Sequence, residues 1–471
     1  MHILCFSINP IFPDVVSGGA SKHLINLTKS LASADHQVRV LCPALPDQDK
    51  PYLLAKNLEI WPVLPFHQPF PAPYEVTPPE LALIVEEINR QLIWAERFYV
   101  HDGELLLPQL HTKIPTILSF RDNYYPESIL GSFINQADEI ICVSPYSAQV
   151  IEATAGRVLD GLVERLHVVI NGIDPQVFTP IPLSENVLLS KLPFDPAAHR
   201  ILLHPHRPDP NKGLAEALEV VKYLVNERGM HDLLLLTPRW HTAMSGSEED
   251  IFFNDMQKLI DENHLNEHIY FLDWLTQAEM PSFYSLGSLN LCLGKLPEAF
   301  GNVAYESLAC GTPSLVCRVG VHRSLLPNHL IHKVDYWDLK TACKIAEDVL
   351  GKNQKISEVV RLQILERFDL EKQLSAYKAI ILNAQKRPFL KAIYSPVTAD
   401  RNYHLAPWCF ISNDVIYHDY LGKFLNEQDF PGLRTILASL TKHGQLKGSA
   451  FPQSLIHQLY KAGVLVPSPL G

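Results

Sequence analysis

The stretch Leu296–Pro313, LPEAFGNVAYESLACGTP, decides how the rest of the chain is interpreted. It carries two carboxylates, Glu298 and Glu306, separated by seven residues, and the small and apolar residues after Gly301 predict a buried helix. Glu298 precedes this helix and Glu306 lies about one and a half turns inside it, so the two are not an i, i+4 pair. Carboxylates accept hydrogen bonds from neighbouring hydroxyl groups, and a helix start offers unpaired N–H groups to an anion. We therefore expect a pocket for a hydroxyl-rich ligand.

The spacing resembles the E-x7-E signature of retaining GT-B glycosyltransferases, most closely the glycogen-synthase-like class called family 4. The fuller family pattern is E-x-F-G-x-x-x-x-E-(A/S)-x-A-x-G-x-P. Its fixed positions correspond here to Glu298, Phe300, Gly301, Glu306, Ser307, Ala309, Gly311 and Pro313. The alternative interpretation is a core helix with one exposed glutamate and a Gly-Thr-Pro stop.

The resemblance implies an α/β protein of the GT-B fold, with two facing Rossmann-like domains and a small mainly helical C-terminal appendage outside the pattern. It also implies transfer of a sugar from a nucleotide-diphosphate sugar to an acceptor hydroxyl, with retention of anomeric configuration. In that scheme Glu298 takes the hydroxyls of the donor sugar and Glu306 takes those of the ribose. Backbone amides near Phe300, Gly301 and Asn302 complete the contacts to the donor.

Length, composition and net charge limit the possible domain number and protein class, independently of the resemblance. At 471 residues the chain exceeds one ordinary domain core, so two or three domains are expected. A hydrophobic content of 47% with 19% charged residues indicates a globular rather than a disordered protein. The net charge of −11, from 40 basic and 51 acidic residues, argues against general binding to nucleic acid or to anionic membranes.

Cysteine usage and the N-terminus indicate the compartment. The eight cysteines show no C-x-x-C spacing, and Cys5, Cys142 and Cys292 lie in apolar runs typical of buried free thiols. The chain enters an apolar run at Met1-His2-Ile3 without a basic leader, and no apolar run reaches the ~18–20 residues that span a bilayer. We therefore expect a reduced, cytoplasmic setting.

The first 42 residues predict a strand–loop–helix–strand unit of the doubly wound kind. Gly18 and Gly19 stand where the loop turns into the helix, and glycines there let the backbone approach a ligand phosphate. The pair does not fit the G-x-G-x-x-G dinucleotide fingerprint, which weakens a dehydrogenase interpretation. It resembles the GG loop of the family, which implies contact with the donor. The proline-rich residues 43–80 predict an irregular excursion on the acceptor side.

Polar residues follow two predicted strands of this half, at the end where parallel sheets hold ligands. His101 and Asp102 follow one strand, and Arg121 and Asp122 follow another. Family members often carry a histidine in the cleft where this chain has Arg121. We favour His101 for acceptor positioning or as the base, and Arg121 with Asp122 for a phosphate or an acidic acceptor. Structural roles for these residues remain the alternative.

Two cations open the second half. Arg207 lies at a predicted strand end and Lys212 at a predicted helix start, with four residues between them. A planar guanidinium and a point charge in that place suit a diphosphate. They resemble the G-R-x-x-x-x-K-G motif of the family, with His206 where glycine is common. Solvated side chains are the alternative.

The predicted boundaries are an acceptor domain over 1–180, a nucleotide-sugar domain over 181–365, and a crossover helix over 366–387 that returns to the N-terminal domain. Residues 388–471 lie outside the resemblance and are slightly basic, with seven Lys or Arg against five Asp or Glu. Two apolar stripes at helical spacing predict two helices there. A winged-helix-like module, a peptide-recognition module and a packing or dimerisation element all remain open.

The sequence thus predicts a metal-independent, retaining glycosyltransferase without a cofactor besides the nucleotide sugar, and with Glu298, Arg207, Lys212 and His101 at its catalytic centre. No D-x-D motif stands at a suitable strand end. The acceptor is left open between a glycan, a lipid-linked group, a peptide and a small molecule. A homodimer or a partner protein bound through 388–471 is also left open. The alternative function is a catalytically inactive GT-B binding protein whose appendage recognises a partner, against which the intact charged residues count.

Overall fold

The computed structural model describes residues 1–12, 19–45, 47–66, 75–102, 105–207, 209–239, 248–353, 355–394 and 396–468. It divides into two compact units. Unit 1 contains Met1–Ile170 and Leu374–Gly471, and unit 2 contains Asn171–Gln373. No helix in these described ranges combines the length and the hydropathy needed to cross a bilayer.

Unit 1 is built on a mostly parallel sheet covered by helices. Within the described residues the sheet has eight strands in the order β3-β4-β2-β1-β5-β6-β7-β9, and β3 alone of these runs antiparallel to its neighbour. The elements are β1 (His2–Phe6), α1 (Gly19–Ser33), β2 (Gln37–Pro43), β3 (Tyr52–Ala55), β4 (Leu58–Leu64), α2 (Pro78–Leu92), β5 (Arg97–Val100), β6 (Thr116–Phe120), α3 (Pro126–Ile134), β7 (Glu139–Cys142), α4 (Pro145–Ala153), β8 (Leu159–Asp160) and β9 (Leu166–Val168). The central strands are apolar and buried along their length, as expected for strands covered on both faces.

The prediction of an irregular excursion over residues 43–80 is wrong for its first part. Residues 52–64 form the strand pair β3 and β4, which extends the sheet beyond β2. The side chains of β4 alternate between buried and half-buried, a period of two that the prolines obscured. Pro62 is tolerated within β4 because the register with β2 shifts between Cys42 and Pro43. Residues 67–74 lie outside the described residues.

Unit 2 has a second doubly wound sheet. Within the described residues it has six parallel strands in the order β12-β11-β10-β13-β14-β15. The elements are β10 (Arg200–Leu203), α5 (Leu214–Lys222), β11 (Leu233–Arg239), α6 (Glu248–Glu262), β12 (Ile269–Asp273), α7 (Met280–Leu286), β13 (Leu289–Cys292), α8 (Asn302–Ala309), β14 (Ser314–Cys317), β15 (His332–Val334), α9 (Leu339–Lys352), α10 (Glu358–Arg367) and α11 (Leu370–Asn383), whose second half belongs to unit 1. The strand order reverses between β10 and β13, and α/β sheets bind ligands at the carboxyl end of such a switch point. The predicted α/β class with two Rossmann-like domains is thus confirmed.

The appendage combines helices with short strands. Its elements are β16 (Lys391–Ala392), β17 (Asn402–Leu405), β18 (Cys409–Ser412), β19 (Val415–His418), β20 (Lys423–Leu425), α12 (Leu433–His443), β21 (Leu446–Lys447), α13 (Gln453–Lys461) and β22 (Leu465–Pro467). The two predicted apolar stripes lie buried on α12 and α13. The sequence indicates a short strand near residues 463–466, where β22 lies, and it missed the others, each of which has four residues or fewer.

The appendage packs on the N-terminal part of unit 1. Strand β16 pairs antiparallel with β8, and Leu390 joins the core of the first domain. Arg157 lies over the ring of Tyr460 at 4.6 Å and donates a hydrogen bond to its hydroxyl. These contacts make residues 388–468 part of the same compact unit.

Two glycines bring the loops after β10 and β13 of unit 2 into backbone contact. Gly213 has φ +90°, and a Cβ there would lie 2.4 Å from the backbone nitrogen of Gly294. A Cβ on Gly294 would in turn lie 2.4 Å from the carbonyl oxygen of Asn211. Because no side chain fits at either position, these loops approach as closely as backbone allows. This contact between the loops brings Lys212 and Glu298 side by side.

We expect Gly213→Ala to lower the free energy of unfolding by about 3 kcal/mol or more, from a left-handed backbone and a backbone clash together. Gly229→Ala is the matched control. Gly229 also has a positive φ, +67°, but a Cβ there would meet no atom closer than 4.0 Å. Its cost should be about 1 kcal/mol. Urea unfolding of both variants measures the difference, and equal losses would contradict the steric account.

Candidate active site

A buried ion pair stands at the carboxyl ends of β10 and β13. Lys212 precedes α5, Glu298 precedes α8, and Lys212 Nζ lies 2.5 Å from Glu298 Oε1. Only 13% of the lysine and 22% of the glutamate side chain are exposed. Burial alone would raise the pKa of Glu298, but the charge and hydrogen bond of Lys212, with the charge of Arg207, lower that pKa overall. The Glu298 carboxylate is therefore held in its charged form.

Histidines surround this pair. A cavity of about 20 Å³ beside it is lined by His206, Asn211, Lys212, Cys292, Gly294, Leu296, Glu298 and His322. The hydroxyl of Tyr305 lies 3.0 Å from Nδ1 of His322. Burial lowers the pKa of His322 to about 4, so its ring is neutral near pH 7. Burial likewise holds the pKa of His206 well below its usual range.

The packing of His322 explains the glycine of the predicted motif. Gly301 has φ +80°, and a Cβ there would lie 2.4 Å from Cε1 of His322. Phe300 is buried against the rings of Tyr305 and Phe368, at centroid distances of 5.1 and 5.5 Å. The Phe300 side chain therefore anchors the loop in the core.

The start of helix α8 is tied to the segment at which unit 2 begins. Asn302 is the first residue of α8, and its Oδ1 accepts a hydrogen bond from Asn171 Nδ2 at 3.3 Å. Asn171 in turn accepts from Gln373 Nε2 at 2.9 Å. These bonds hold the first residue of α8, and with it the backbone N–H groups at the helix start, in place.

Glu306 has a partner that the sequence did not indicate. The hydroxyl of Tyr284, on α7, donates to Glu306 Oε2 at 3.1 Å. Burial and the charge of Glu306 hold the pKa of Tyr284 well above its usual range, so the phenol keeps its proton. Arg207 lies half-buried near the Lys212–Glu298 pair. Unit 2 thus brings Arg207 and Lys212 to Glu298, and it places Glu306 on the helix that follows Glu298.

In unit 1, His101 connects β5 to the start of α1. Its Nε2 lies 2.9 Å from the carbonyl oxygen of Ala20, and its Nδ1 lies 3.0 Å from the hydroxyl of Tyr99. Since a carbonyl only accepts, Nε2 carries the proton and Tyr99 donates to Nδ1. Burial and the charge of Arg121 hold the pKa of His101 well below its usual range. Gly19 is the first residue of α1, and Gly18 lies outside the described residues.

Arg121 is held by a residue that sequence reasoning missed. Its Nη1 donates to the hydroxyl of Tyr377 at 3.2 Å, and Tyr377 on α11 also lies 3.1 Å from Ser119 Oγ. The ring of His23, on α1, packs against Tyr377 at a centroid distance of 4.6 Å. Tyr377 lies 256 positions from Arg121 in the sequence, so no local pattern indicated this polar contact.

Two aspartates lie near Arg121. Asp122 Oδ1 accepts from the backbone N–H groups of Tyr124 and Tyr125, at 2.6 and 3.3 Å, and so fixes the turn before α3. Asp102 has a left-handed backbone, φ +67°. Burial first, and then the charge of Asp122, raise the pKa of Asp102 to about 7, against the opposing effect of Arg121. Across the described residues, no cluster of three His, Cys, Asp or Glu could hold a metal ion.

Two protein-family models match successive parts of the chain. The model described as glycosyltransferase family 4 matches residues 17–177, and the model described as glycosyl transferases group 1 matches residues 194–332. No curated protein matches the sequence significantly.

Solved structures with the same fold include sucrose-phosphate synthase from Thermosynechococcus elongatus, at a TM-score of 0.67 and 16% identity over 80% of this chain and 98% of that chain. Anabaena HepE in complex with UDP-glucose matches at a TM-score of 0.62 and 17% identity, over 81% of this chain and 99% of that chain. The trehalose-6-phosphate synthase OtsA matches at a TM-score of 0.64 and 10% identity, over 82% of this chain and 100% of that chain. The chain is therefore a glycosyltransferase of the GT-B fold class.

The raised pKa of Asp102 predicts a pH-dependent stability. The folded chain keeps the Asp102 proton up to about pH 7, whereas the unfolded chain releases it near 3.8. The stability from this proton is fully present below the lower value and is lost as pH rises to the upper one, by up to about 1.4 kcal/mol per pH unit. Urea unfolding of Asp102→Asn between pH 5 and 8 should show a flatter profile than the parent chain.

Asp35→Asn is the matched control for this measurement. Asp35 has the same left-handed backbone, φ +60°, but an exposed side chain. Its variant should follow the pH profile of the parent. If the Asp102→Asn profile also follows the parent, Asp102 does not hold a proton in the folded chain.

Proposed function

We propose that this chain is a retaining glycosyltransferase that moves a sugar from a nucleotide-diphosphate sugar to an acceptor hydroxyl. The buried Lys212–Glu298 pair at the switch point of unit 2 is the observation that carries the proposal. A buried ion pair is weak evidence for stability, because apolar residues of similar volume often stabilise a core as well. Its position at the ligand edge of a doubly wound sheet favours a role in binding.

The two cations have the chemistry of a diphosphate site. Arg207 offers a planar group of hydrogen-bond donors, and Lys212 offers a point charge. Both residues precede helix α5. Both would bind the donor diphosphate, and both would stabilise the negative charge that develops on it as the sugar departs. This charge stabilisation supports transfer without a bound metal ion.

The two carboxylates have the chemistry of hydroxyl recognition. Glu298 has one oxygen on Lys212 and would accept from hydroxyls of the donor sugar with the other. Glu306 would take the ribose hydroxyls, in the orientation that its bond with Tyr284 gives it. The amides of Gly301 and Asn302, at the start of α8, would contact the phosphate or the sugar.

The nature of the donor is supported by similar structures. HepE from Anabaena was solved with UDP-glucose, and an E. coli structure titled trehalose-6-phosphate holds UDP-2-fluoro glucose. We therefore propose a nucleotide sugar as the donor here, with UDP-sugars as the first to test.

In unit 1 we propose acceptor roles for Arg121 and Asp122, and a positioning role for His101. Both ring nitrogens of His101 are engaged, so the residue is better suited to hold the start of α1 at Gly19 than to take a proton. Retention on one face of the sugar lets the departing phosphate take the acceptor proton, so a dedicated protein base is unnecessary. We propose that the reaction takes place in the cytoplasm.

We expect Glu298→Ala and Lys212→Ala each to lower turnover ~100-fold or more, since each removes a charge-assisted contact that strengthens as the diphosphate leaves. Lys191→Ala is the matched control, because Lys191 also pairs with a glutamate of unit 2 but is half exposed. Donor hydrolysis and transfer are measured with and without EDTA, and ¹H NMR of the product reports its anomeric configuration.

Each variant also leaves one buried charge without its partner, which costs roughly 3–5 kcal/mol of stability. Thermal unfolding is therefore recorded first, and activity is measured well below each midpoint. Near-normal turnover in both variants would refute the assignment of the site. A parent chain that binds donors but neither hydrolyses nor transfers them would favour an inactive binding protein.

A further inference from the structure

A cavity of about 280 Å³ lies within unit 1, between helices α3 and α4 and the appendage. The helices contribute Ile129, Phe133, Val150 and Ile151 to its wall, and the appendage contributes Trp408 and Tyr420. An enclosed apolar space of ~150 Å³ already admits benzene, and this one is roughly twice as large. The cavity can therefore hold an aromatic bicycle or a chain of six to eight carbons.

The cavity borders the ligand edge of the sheet. Asp122 and Asn123, which follow β6, form part of its wall, and Arg121 is the residue before them. Sheets of this kind bind ligands at the carboxyl ends of their parallel strands. An occupant of the cavity would therefore have one end beside the residues proposed to face the acceptor.

One polar group in this wall is itself buried. Asn123 is only 4% exposed, and within the described part of the chain its Nδ2 has no hydrogen-bond partner. Its Oδ1 accepts from Ser147 Oγ at 3.0 Å, which fixes the orientation of the amide.

The appendage holds this wall in place. The hydroxyl of Tyr420 donates to the carbonyl oxygen of Asn123 at 2.8 Å, and the indole of Trp408 donates to the carbonyl oxygen of Gly463 at 2.8 Å. Both polar tips are satisfied within the protein, so each residue offers its apolar ring to the cavity. Ile129 and Phe133 are each 38% exposed, which leaves apolar surface at the rim.

We propose that this cavity binds the apolar part of a small acceptor, an aromatic or aliphatic alcohol, and that the appendage thereby selects the acceptor. The proposal rests on the transferase function above. The acceptor's hydroxyl would lie beside Asp122, and its hydrocarbon part would contact Ile129, Val150 and Trp408. A purely sugar-like acceptor would leave these apolar walls in contact with water.

The test uses the full-length protein and 1-naphthol, which combines an aromatic bicycle with a hydroxyl. Binding is measured by isothermal titration without donor, for the parent chain, Ile129→Asp and Leu130→Asp. The two substituted residues are neighbours on α3 and both exposed, but only Ile129 lines the cavity. Ile129→Asp should weaken binding at least tenfold, whereas Leu130→Asp should leave it within twofold.

Kinetics with a donor add a second measurement. Ile129→Asp should raise the KM for 1-naphthol at least tenfold, whereas Leu130→Asp should leave it within twofold of the parent value. Binding of 1-naphthol is measured without donor, so it does not depend on catalysis. A protein that binds 1-naphthol but transfers no sugar to it would contradict the proposed function and not the binding site. Equal effects of the two variants, or no binding by the parent, would overturn the proposal. Binding of the peptide acetyl-Leu-Trp-Leu-amide in place of 1-naphthol would overturn it as well.

Discussion

The backbone contact between Gly213 and Gly294 is the constraint on which the site of unit 2 depends. Two loops that leave neighbouring strands meet there without any side chain between them. Lys212 is adjacent to one glycine and Glu298 stands four residues after the other, so the contact places their charges side by side. A buried charge is stable only when it is paired, and the geometry of the loops supplies the partner. Packing thus determines the chemistry of this edge.

The two units meet different physical requirements. Unit 2 holds several formal charges together at one edge, as recognition of a diphosphate and of hydroxyl groups demands. Unit 1 keeps His23 and His101 neutral by burial, and Tyr377 holds Arg121 near them. The appendage completes unit 1 rather than forming a separate domain, since it shares the core and supplies Trp408 and Tyr420 to an apolar wall. A transferase needs both a charged donor site and a site that discriminates among acceptors.

Much of the fold could be predicted from the sequence, and less of the site. Continuous apolar strands and the glutamate spacing of Leu296–Pro313 predict two doubly wound sheets, because they are local patterns. The role of Gly294, the bond from Tyr284 to Glu306 and the contact of Tyr377 with Arg121 could not be predicted. They join residues 22 to 256 positions apart or depend on steric contact between loops. Strand β4 was missed because prolines masked its alternation.

The central claim is that unit 2 binds a nucleotide-diphosphate sugar through Lys212 and Glu298. A thermal-shift screen of UDP-, GDP- and ADP-sugars tests it most directly, with the parent chain and Lys212→Ala side by side. At a hundredfold excess over Kd a ligand stabilises the folded state by about 2.7 kcal/mol. The account predicts that one donor raises the Tm of the parent and that Lys212→Ala loses that shift at the same concentration. No shift with any donor, or an equal shift in the variant, would contradict it.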